Sequence, residues 1–365
     1  MNGDLKPDIR DLDLAALVEF LGRNGEQAYR ARQVYEWLWK KGARNFDAMT
    51  SLPARTRNIL SEAYHFSAAG PGPLQVSRDG TVKTLFSMMD GATVEGVLIP
   101  SAGRTTACIS SQAGCALGCT FCATGRLGLT RNLSAGEIFD QVFLLNGMSL
   151  DQWKTPLSNI VLMGMGEPLM NYREVTRAIG RMTAPDGLGI SPQRITLSTV
   201  GIPKGIRQLA DDGVKCYLAL SLHAATDAKR NRIIPVNQRF PLAEVTDALK
   251  YYHQKTRKRF TIEYILFRNV NDSESDARDL AHFCKSFPVK INLIEYNDTG
   301  TDGFTRSDDT RTRAFSAFLE KKNLVVNIRK SRGKDISAAC GQLAGTSLPD
   351  GKRIVPKDKP TLPIS

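Results

Sequence analysis

Cys115, Cys119 and Cys122 lie within eight positions, in the run Gly114-Cys-Ala-Leu-Gly-Cys-Thr-Phe-Cys-Ala123. Three closely spaced thiolates are soft ligands, suited to an iron–sulfur cluster, zinc or copper(I). A four-iron cluster has four corners, so three local cysteines leave one iron open. An open iron binds a substrate or cofactor directly, whereas a fully ligated cluster mostly carries electrons. The competing reading of the triplet is a set of buried structural thiols.

These residues need a frame. From residue 104 onward the chain alternates between strand and helix patterns. Apolar runs predict strands at 105–110, 159–163, 194–199, 215–221, 260–267 and 289–296. Helical periodicity fills the gaps near 134–146, 172–183, 203–212, 241–257 and 274–286. The first of these helices opens on Ser134-Ala-Gly-Glu137, a capping box. Six such units imply a parallel sheet curled into a barrel or partial barrel, an α/β fold. Before it, helical spacing recurs over 14–63, and 82–89 with 93–99 read as a hairpin turning at Asp90-Gly91.

In such barrels chemistry gathers at the C-terminal ends of the strands. The unusual residues obey that rule. The cysteine triplet follows the first strand, and Gly164-Met-Gly166-Glu167-Pro168 follows the second. Ser198 ends the third, Ser221-Leu222-His223 the fourth, and Asn297 follows the sixth. Each is weak alone. A single histidine is more often structural, and the Gly-x-Gly turn lacks the third glycine of a dinucleotide fingerprint. Their common rim is what points to a site. Cys216, in an apolar strand, and Cys284, beside Phe283, read as core.

The chain has 365 residues, room for about two domains, and a net charge of +12. The excess lies outside residues 1–75, which hold ten Lys/Arg against nine Asp/Glu. It sits in the runs 255–259, 329–334 and 352–353, which suit a polyanionic partner. The 255–259 run is the first expectation for that surface, and 329–334 the second. No apolar stretch is long enough to span a membrane, so no membrane partner is expected. The polar, acidic N-terminal run is neither a signal nor a transit peptide, and clustered cysteines suit a reducing, cytoplasmic setting.

Cys-x3-Cys-x2-Cys at the mouth of a βα barrel resembles the radical S-adenosylmethionine superfamily. Further motifs narrow the resemblance to the RlmN family of ribosomal RNA adenine carbon-2 methyltransferases. They are Tyr29-Arg-Ala-Arg-Gln-Val-Tyr-Glu-Trp-Leu38, Val94-Glu95, Cys108-Ile-Ser-Ser-Gln112, Met163-Gly-Met-Gly-Glu-Pro-Leu169 and Ala338-Ala-Cys-Gly-Gln-Leu343. The resemblance covers nearly the whole chain. It implies a partial (β/α)6 barrel over 104–345, a helical RNA-binding accessory domain over 1–75 and a hairpin connector over 76–103; the proline- and lysine-rich composition of 346–365 reads as a flexible basic tail.

The resemblance also implies the chemistry. Carbon 2 of adenine lies between two ring nitrogens and is too electron-poor to attack a sulfonium methyl, so a radical route replaces that attack. Cys115, Cys119 and Cys122 would hold one 4Fe–4S cluster, and two S-adenosylmethionine molecules would be used per turnover. Cys340 would carry the methyl group to the base. Cys108 would help remove the carbon-2 proton and close a disulfide on Cys340 as product leaves, with Glu95 as proton acceptor. Gly166, Glu167, Ser198, Ser221, Leu222, His223 and Asn297 would hold S-adenosylmethionine. The implied partners are 23S rRNA at adenosine 2503, tRNA at adenosine 37, and a one-electron reductant such as flavodoxin. The alternatives are a Cfr-like enzyme acting on carbon 8 of the same adenosine and a non-catalytic iron–sulfur or zinc RNA-binding protein. Pro168 favours carbon 2, and the latter protein would need neither Cys108, Cys340 nor Glu167.

Overall fold

The computed structural model describes residues 6–300 and 303–344. The expected basic tail lies outside them. Three helices come first: α1 (Leu14–Arg23), α2 (Ala28–Trp39) and α3 (Ala54–Ala63). Asp13 caps α1 by accepting the Ala16 N–H at 2.8 Å. Leu17, Leu21, Val34, Leu38 and Leu60 are buried on the inner faces. Arg10, almost fully buried, ties this module down: its Nη1 lies 2.8 Å from Asp140 on the first barrel helix.

Strands β1 (Gly70–Val76), β2 (Val82–Ser87), β3 (Thr93–Ser101) and β4 (Arg104–Cys108) pair antiparallel in that order. The short ribbon β5 (Gln112–Cys115) with β6 (Gly128–Asn132) flanks the single-turn helix α4 (Ala123–Arg126). The alternating half then runs α5 (Ala135–Trp153), β7 (Asn159–Leu162), α6 (Tyr172–Thr183), β8 (Ile195–Thr199), α7 (Pro203–Asp211), β9 (Tyr217–Ser221), α8 (Asp227–Ile233) and α9 (Leu242–Thr256). It ends with β10 (Phe260–Leu266), α10 (Glu274–Cys284), β11 (Val289–Glu295), α11 (Asp309–Glu320) and β12 (Val325–Arg329). Ser134 and Glu137 make the expected capping box on α5.

One ten-stranded sheet has the order β1-β2-β3-β4-β7-β8-β9-β10-β11-β12, and every pair from β4 onward is parallel. The sequence predicted six of these parallel strands within a residue or two. The seventh, β12, follows the charged helix α11, which buries only Phe315, Ser316 and Leu319 and so shows a faint apolar face. Strand β1, written Gly-Pro-Gly-Pro-Leu-Gln-Val, has an edge-strand composition that reads as loop.

The two ends of the sheet meet. Ser77, just past β1, donates its hydroxyl to Asp335 at 2.6 Å. The Gly333 N–H, beyond β12, donates to Asp79 at 2.9 Å. The sheet therefore wraps into an open barrel closed by loop contacts. That seam lies beside the C-terminal end of β12, where the site is built. Among the described residues no helix is long and apolar enough to cross a membrane.

Candidate functional site

The C-terminal ends of the parallel strands open on one cavity. Cys108, Cys115, Cys119, Cys122 and Cys340 line it, with Gly166, Glu167, Ser198, Ser221 and His223. Five of the seven cysteines thus converge from β4, the end of β5 and the loop that follows it, and the loop after β12. Cys216 and Cys284 are packed in the core instead. All seven are free thiols, so the disulfide implied for Cys108 and Cys340 is not formed here.

The cysteine loop is short and apolar. Leu117 and Phe121 are buried beside the thiols, and Gly118 turns the chain in the left-handed region at φ 63°. Burial raises the Cys115 thiol to about 11, and raises Cys119 further above the ordinary thiol range. Among the described residues, no three His, Cys, Asp or Glu side chains are already closed into a metal-holding group. The donor set nevertheless fits a soft metal centre: three thiols open on one cavity, and a metal would draw off the protons that burial otherwise retains.

The Gly164-Met-Gly166 turn runs against β5. A Cβ on Gly166 would sit 2.5 Å from the Cβ of Gln112, and φ there is 97°. The glycine is therefore demanded by packing as well as by any ligand. Gln112 accepts the Glu167 N–H at 2.8 Å, which fixes the turn. The Glu167 carboxylate accepts the N–H of Val200 at 2.9 Å and of Leu169 at 3.1 Å. Burial still pushes its pKa up to about 7.

Ser198 and Ser221 face each other with their hydroxyl oxygens 3.1 Å apart. His223 is held in the left-handed region at φ 56°, an uncommon conformation for a non-glycine residue. Its Nδ1 accepts the Ile265 N–H at 3.1 Å, leaving Nε2–H as the ring's donor. Burial, with Arg230 nearby, lowers its pKa to about 3, so the ring is neutral.

Three expected residues do not reach the cavity wall. Leu222 is buried behind it; its N–H bonds Glu263 and its carbonyl takes Arg230 Nε at 3.0 Å. Asn297 is buried with Nδ2 3.5 Å from the Cys340 carbonyl, and its Oδ1 has no hydrogen-bond partner among the described residues. An orphaned buried carbonyl beside the site is a ready acceptor for an amine. Glu95, near the start of β3, pairs with Lys83 at 3.0 Å and accepts the Ala344 N–H at 2.7 Å.

The loop bearing Cys340 is stitched to α4. Ala123 N–H donates to the Gly341 carbonyl at 2.7 Å, and the Thr124 hydroxyl to the Leu343 carbonyl at 2.6 Å. The lone cysteine therefore hangs beside the triplet loop. Two wall residues were missed in the sequence reading. Arg329 Nη1 lies 3.3 Å from Glu263, whose other oxygen accepts Asn292 Nδ2 at 2.8 Å. Glu263 was the one charge inside the apolar run Phe260–Leu266, which was the available signal. Burial raises both lone thiols, Cys108 to about 12, while Arg329 opposes that rise at each.

The basic run 255–259 sits between the end of α9 and the start of β10, at the opposite end of the barrel. Lys255 there faces Asp211, and Lys258 donates to the Cys216 carbonyl. The 329–334 run, by contrast, borders the cavity. The two runs therefore lie at opposite ends of the barrel, because strand direction decides which end a loop occupies.

An open parallel barrel with a cysteine triplet at its mouth defines a radical S-adenosylmethionine enzyme, and residues 109–281 match the family described as Radical SAM superfamily. Residues 7–65 match the ribosomal RNA large subunit methyltransferase N-terminal domain. A probable dual-specificity RNA methyltransferase RlmN of Christiangramia forsetii is 48% identical over 344 residues, covering 94% of this chain and 98% of its own. A dual-specificity RNA methyltransferase RlmN of Anaeromyxobacter dehalogenans is 41% identical, covering 96% of this chain and 95% of its own. The crystal structure of a radical SAM methyltransferase from Sphaerobacter thermophilus superposes with a TM-score of 0.88 at 40% identity, over 93% of this chain and all of that one. The chain belongs to the RlmN family of radical S-adenosylmethionine RNA methyltransferases.

Proposed function

We propose that this enzyme methylates carbon 2 of adenosine 2503 in 23S rRNA, and carbon 2 of adenosine 37 in some tRNAs, with Cys340 as methyl carrier. The observation that supports this reading is the convergence of Cys108 and Cys340 on the cavity of the cysteine triplet. Bound there, a 4Fe–4S cluster and S-adenosylmethionine supply the methyl group and the radical that activates it.

The chain's own residues do the rest. Cys115, Cys119 and Cys122 hold the cluster. Glu167, Ser198, Ser221 and His223 offer an acceptor, two hydroxyls and an N–H donor, which suit a ligand bearing an amine, a carboxylate and ribose hydroxyls. Asn297 adds its Oδ1, which has no hydrogen-bond partner among the described residues. Gly166 acts through its backbone, and Leu222, behind the wall, holds Arg230 through its carbonyl. Cys340 carries the methyl carbon and becomes joined through it to adenine. Cys108 takes part in removing the carbon-2 proton. The Cys108 thiolate then bonds to Cys340 Sγ as the Cys340 Sγ–carbon bond breaks, and the released carbon keeps that electron pair and takes up a proton to become the methyl group. A reductant such as flavodoxin restores the two thiols. Glu95 holds the carrier loop and stands behind the proton transfer.

The helical segment 1–75 and the hairpin 76–103 serve as accessory elements that bring RNA to the barrel over 104–345. Nucleoside digestion of both RNAs from a deletion strain, with and without this gene, tests the assignment. The expected product is 2-methyladenosine, restored by the gene. Appearance of 8-methyladenosine instead would assign the chain to carbon 8.

A further inference from the structure

The seam where the barrel closes is edged by cations of two kinds. Arg329 and Lys334 are committed, to Glu263 and Glu295. Arg78, Arg313, Lys330 and Arg332 are not: among the described residues none has a side-chain hydrogen bond or an ion-pair partner. Arg78 sits in the turn after β1, Arg313 on α11, and Lys330 and Arg332 in the loop that leads to Cys340.

These four side chains line two adjoining hollows. The inner one is the cavity of the cysteines, bordered by Lys330 and Arg332. The outer one lies over the seam and is bordered by Arg78, Arg313 and Lys330. Both share Arg329, Lys330 and Ser331, so the surface is continuous from solvent to the cavity mouth.

The acids on the same walls are already engaged. Asp335 accepts from Ser77 at 2.6 Å and from the Arg78 N–H at 3.1 Å. Asp79 accepts the N–H groups of Thr81 and Gly333, each at 2.9 Å. Glu295 accepts the Ser331 N–H at 2.7 Å and pairs with Lys334 at 2.8 Å. The acids thus hold the seam shut, and among the described residues none of them forms an ion pair with any of the four cations. A polyanion supplies the missing partners, and backbone phosphates do so while releasing counterions.

We propose that Arg78, Arg313, Lys330 and Arg332 form a track for the RNA phosphates flanking the target nucleotide, crossing the barrel seam and ending at the cavity that holds Cys340. The inference rests on the RNA methyltransferase reading above. An adenine whose ring carbon is to react must leave its stack, so the strand has to be gripped on either side of it. A track ending at the cavity mouth does this without reading sequence.

The test is fluorescence anisotropy of a labelled transcript of the 23S rRNA segment around adenosine 2503, titrated with the iron-loaded protein at several salt concentrations. Replacing all four residues by Gln should lower the slope of log affinity against log salt by about 3, at about 0.7 per phosphate lost. The double variant Lys330→Gln/Arg332→Gln should show about half of that fall. A control with Lys255, Arg257, Lys258 and Arg259 changed to Gln removes the same charge and should keep the wild-type slope. An unchanged slope in the four-residue variant, or an equal fall in the control, overturns the track. Loss of the RNA methyltransferase reading itself would show differently, as wild-type protein that does not bind the transcript at all.

Discussion

The carboxylate of Glu95 accepts the backbone N–H of Ala344 at 2.7 Å, four residues beyond Cys340. Its other oxygen lies 3.0 Å from Lys83, and both side chains are largely buried. A residue of β3 thereby anchors the loop that carries Cys340.

Glu95→Gln should therefore loosen that loop. It also leaves Lys83 with no opposite charge in a buried site, at a cost of about 3 kcal/mol. Urea unfolding reads the second effect, and hydrogen exchange over 339–344 reads the first. Unchanged protection of that segment would mean that Glu95 does not hold the loop.

His223 gives a pH signature. Its folded pKa is lowered to about 3 by burial and Arg230, whereas the unfolded side chain titrates near 6.5. The unfolded state binds the proton first, so this contribution to stability is full above pH 6.5 and is lost as pH falls towards 3. At pH 5 the loss is about 2 kcal/mol relative to pH 7. His223→Asn tolerates the left-handed backbone and cannot titrate. The stability gap between the wild type and this variant should narrow by that amount between pH 7 and pH 5. A gap independent of pH would show that the folded ring takes up its proton as readily as the unfolded one.

Cys115, Cys119 and Cys122 make the next prediction. Anaerobic reconstitution of the triple alanine variant should leave almost no iron and none of a cluster's visible absorbance, with helical circular dichroism retained. Cys216→Ala and Cys284→Ala should bind iron normally, because those thiols lie in the core. A triple variant that still holds iron would move the cluster elsewhere.

Much of this site was legible because strand direction gathers residues of widely separated sequence. Once the six strands were placed, Ser198, Ser221, His223 and the Gly166–Glu167 turn had to share a rim. What stayed hidden depended on side-chain reach. Nothing in the string Val94-Glu95 shows that the carboxylate turns to Ala344 rather than into the cavity. Nor does composition show that Arg329 pairs with Glu263 while Lys330, the next residue, has no such partner among the described residues. The basic run 255–259 looked like the RNA face by charge alone; only its place before β10 put it on the far end. Strand β12 escaped because α11 and β12 bury few side chains and so carry little periodicity.

Cys108 and Cys340 provide the most direct test, since they line one cavity and are given different steps. Cys340→Ala has no sulfur to carry the methyl group and should never become linked to RNA. Cys108→Ala keeps the carrier, so the bond to adenine should form but not release. Denaturing gels of each variant purified from cells, with and without ribonuclease, followed by mass spectrometry of the peptide containing residue 340, measure this. The account predicts a slow-migrating Cys108→Ala band that collapses on digestion and leaves a nucleotide on Cys340. A correctly folded Cys108→Ala protein free of RNA would contradict it.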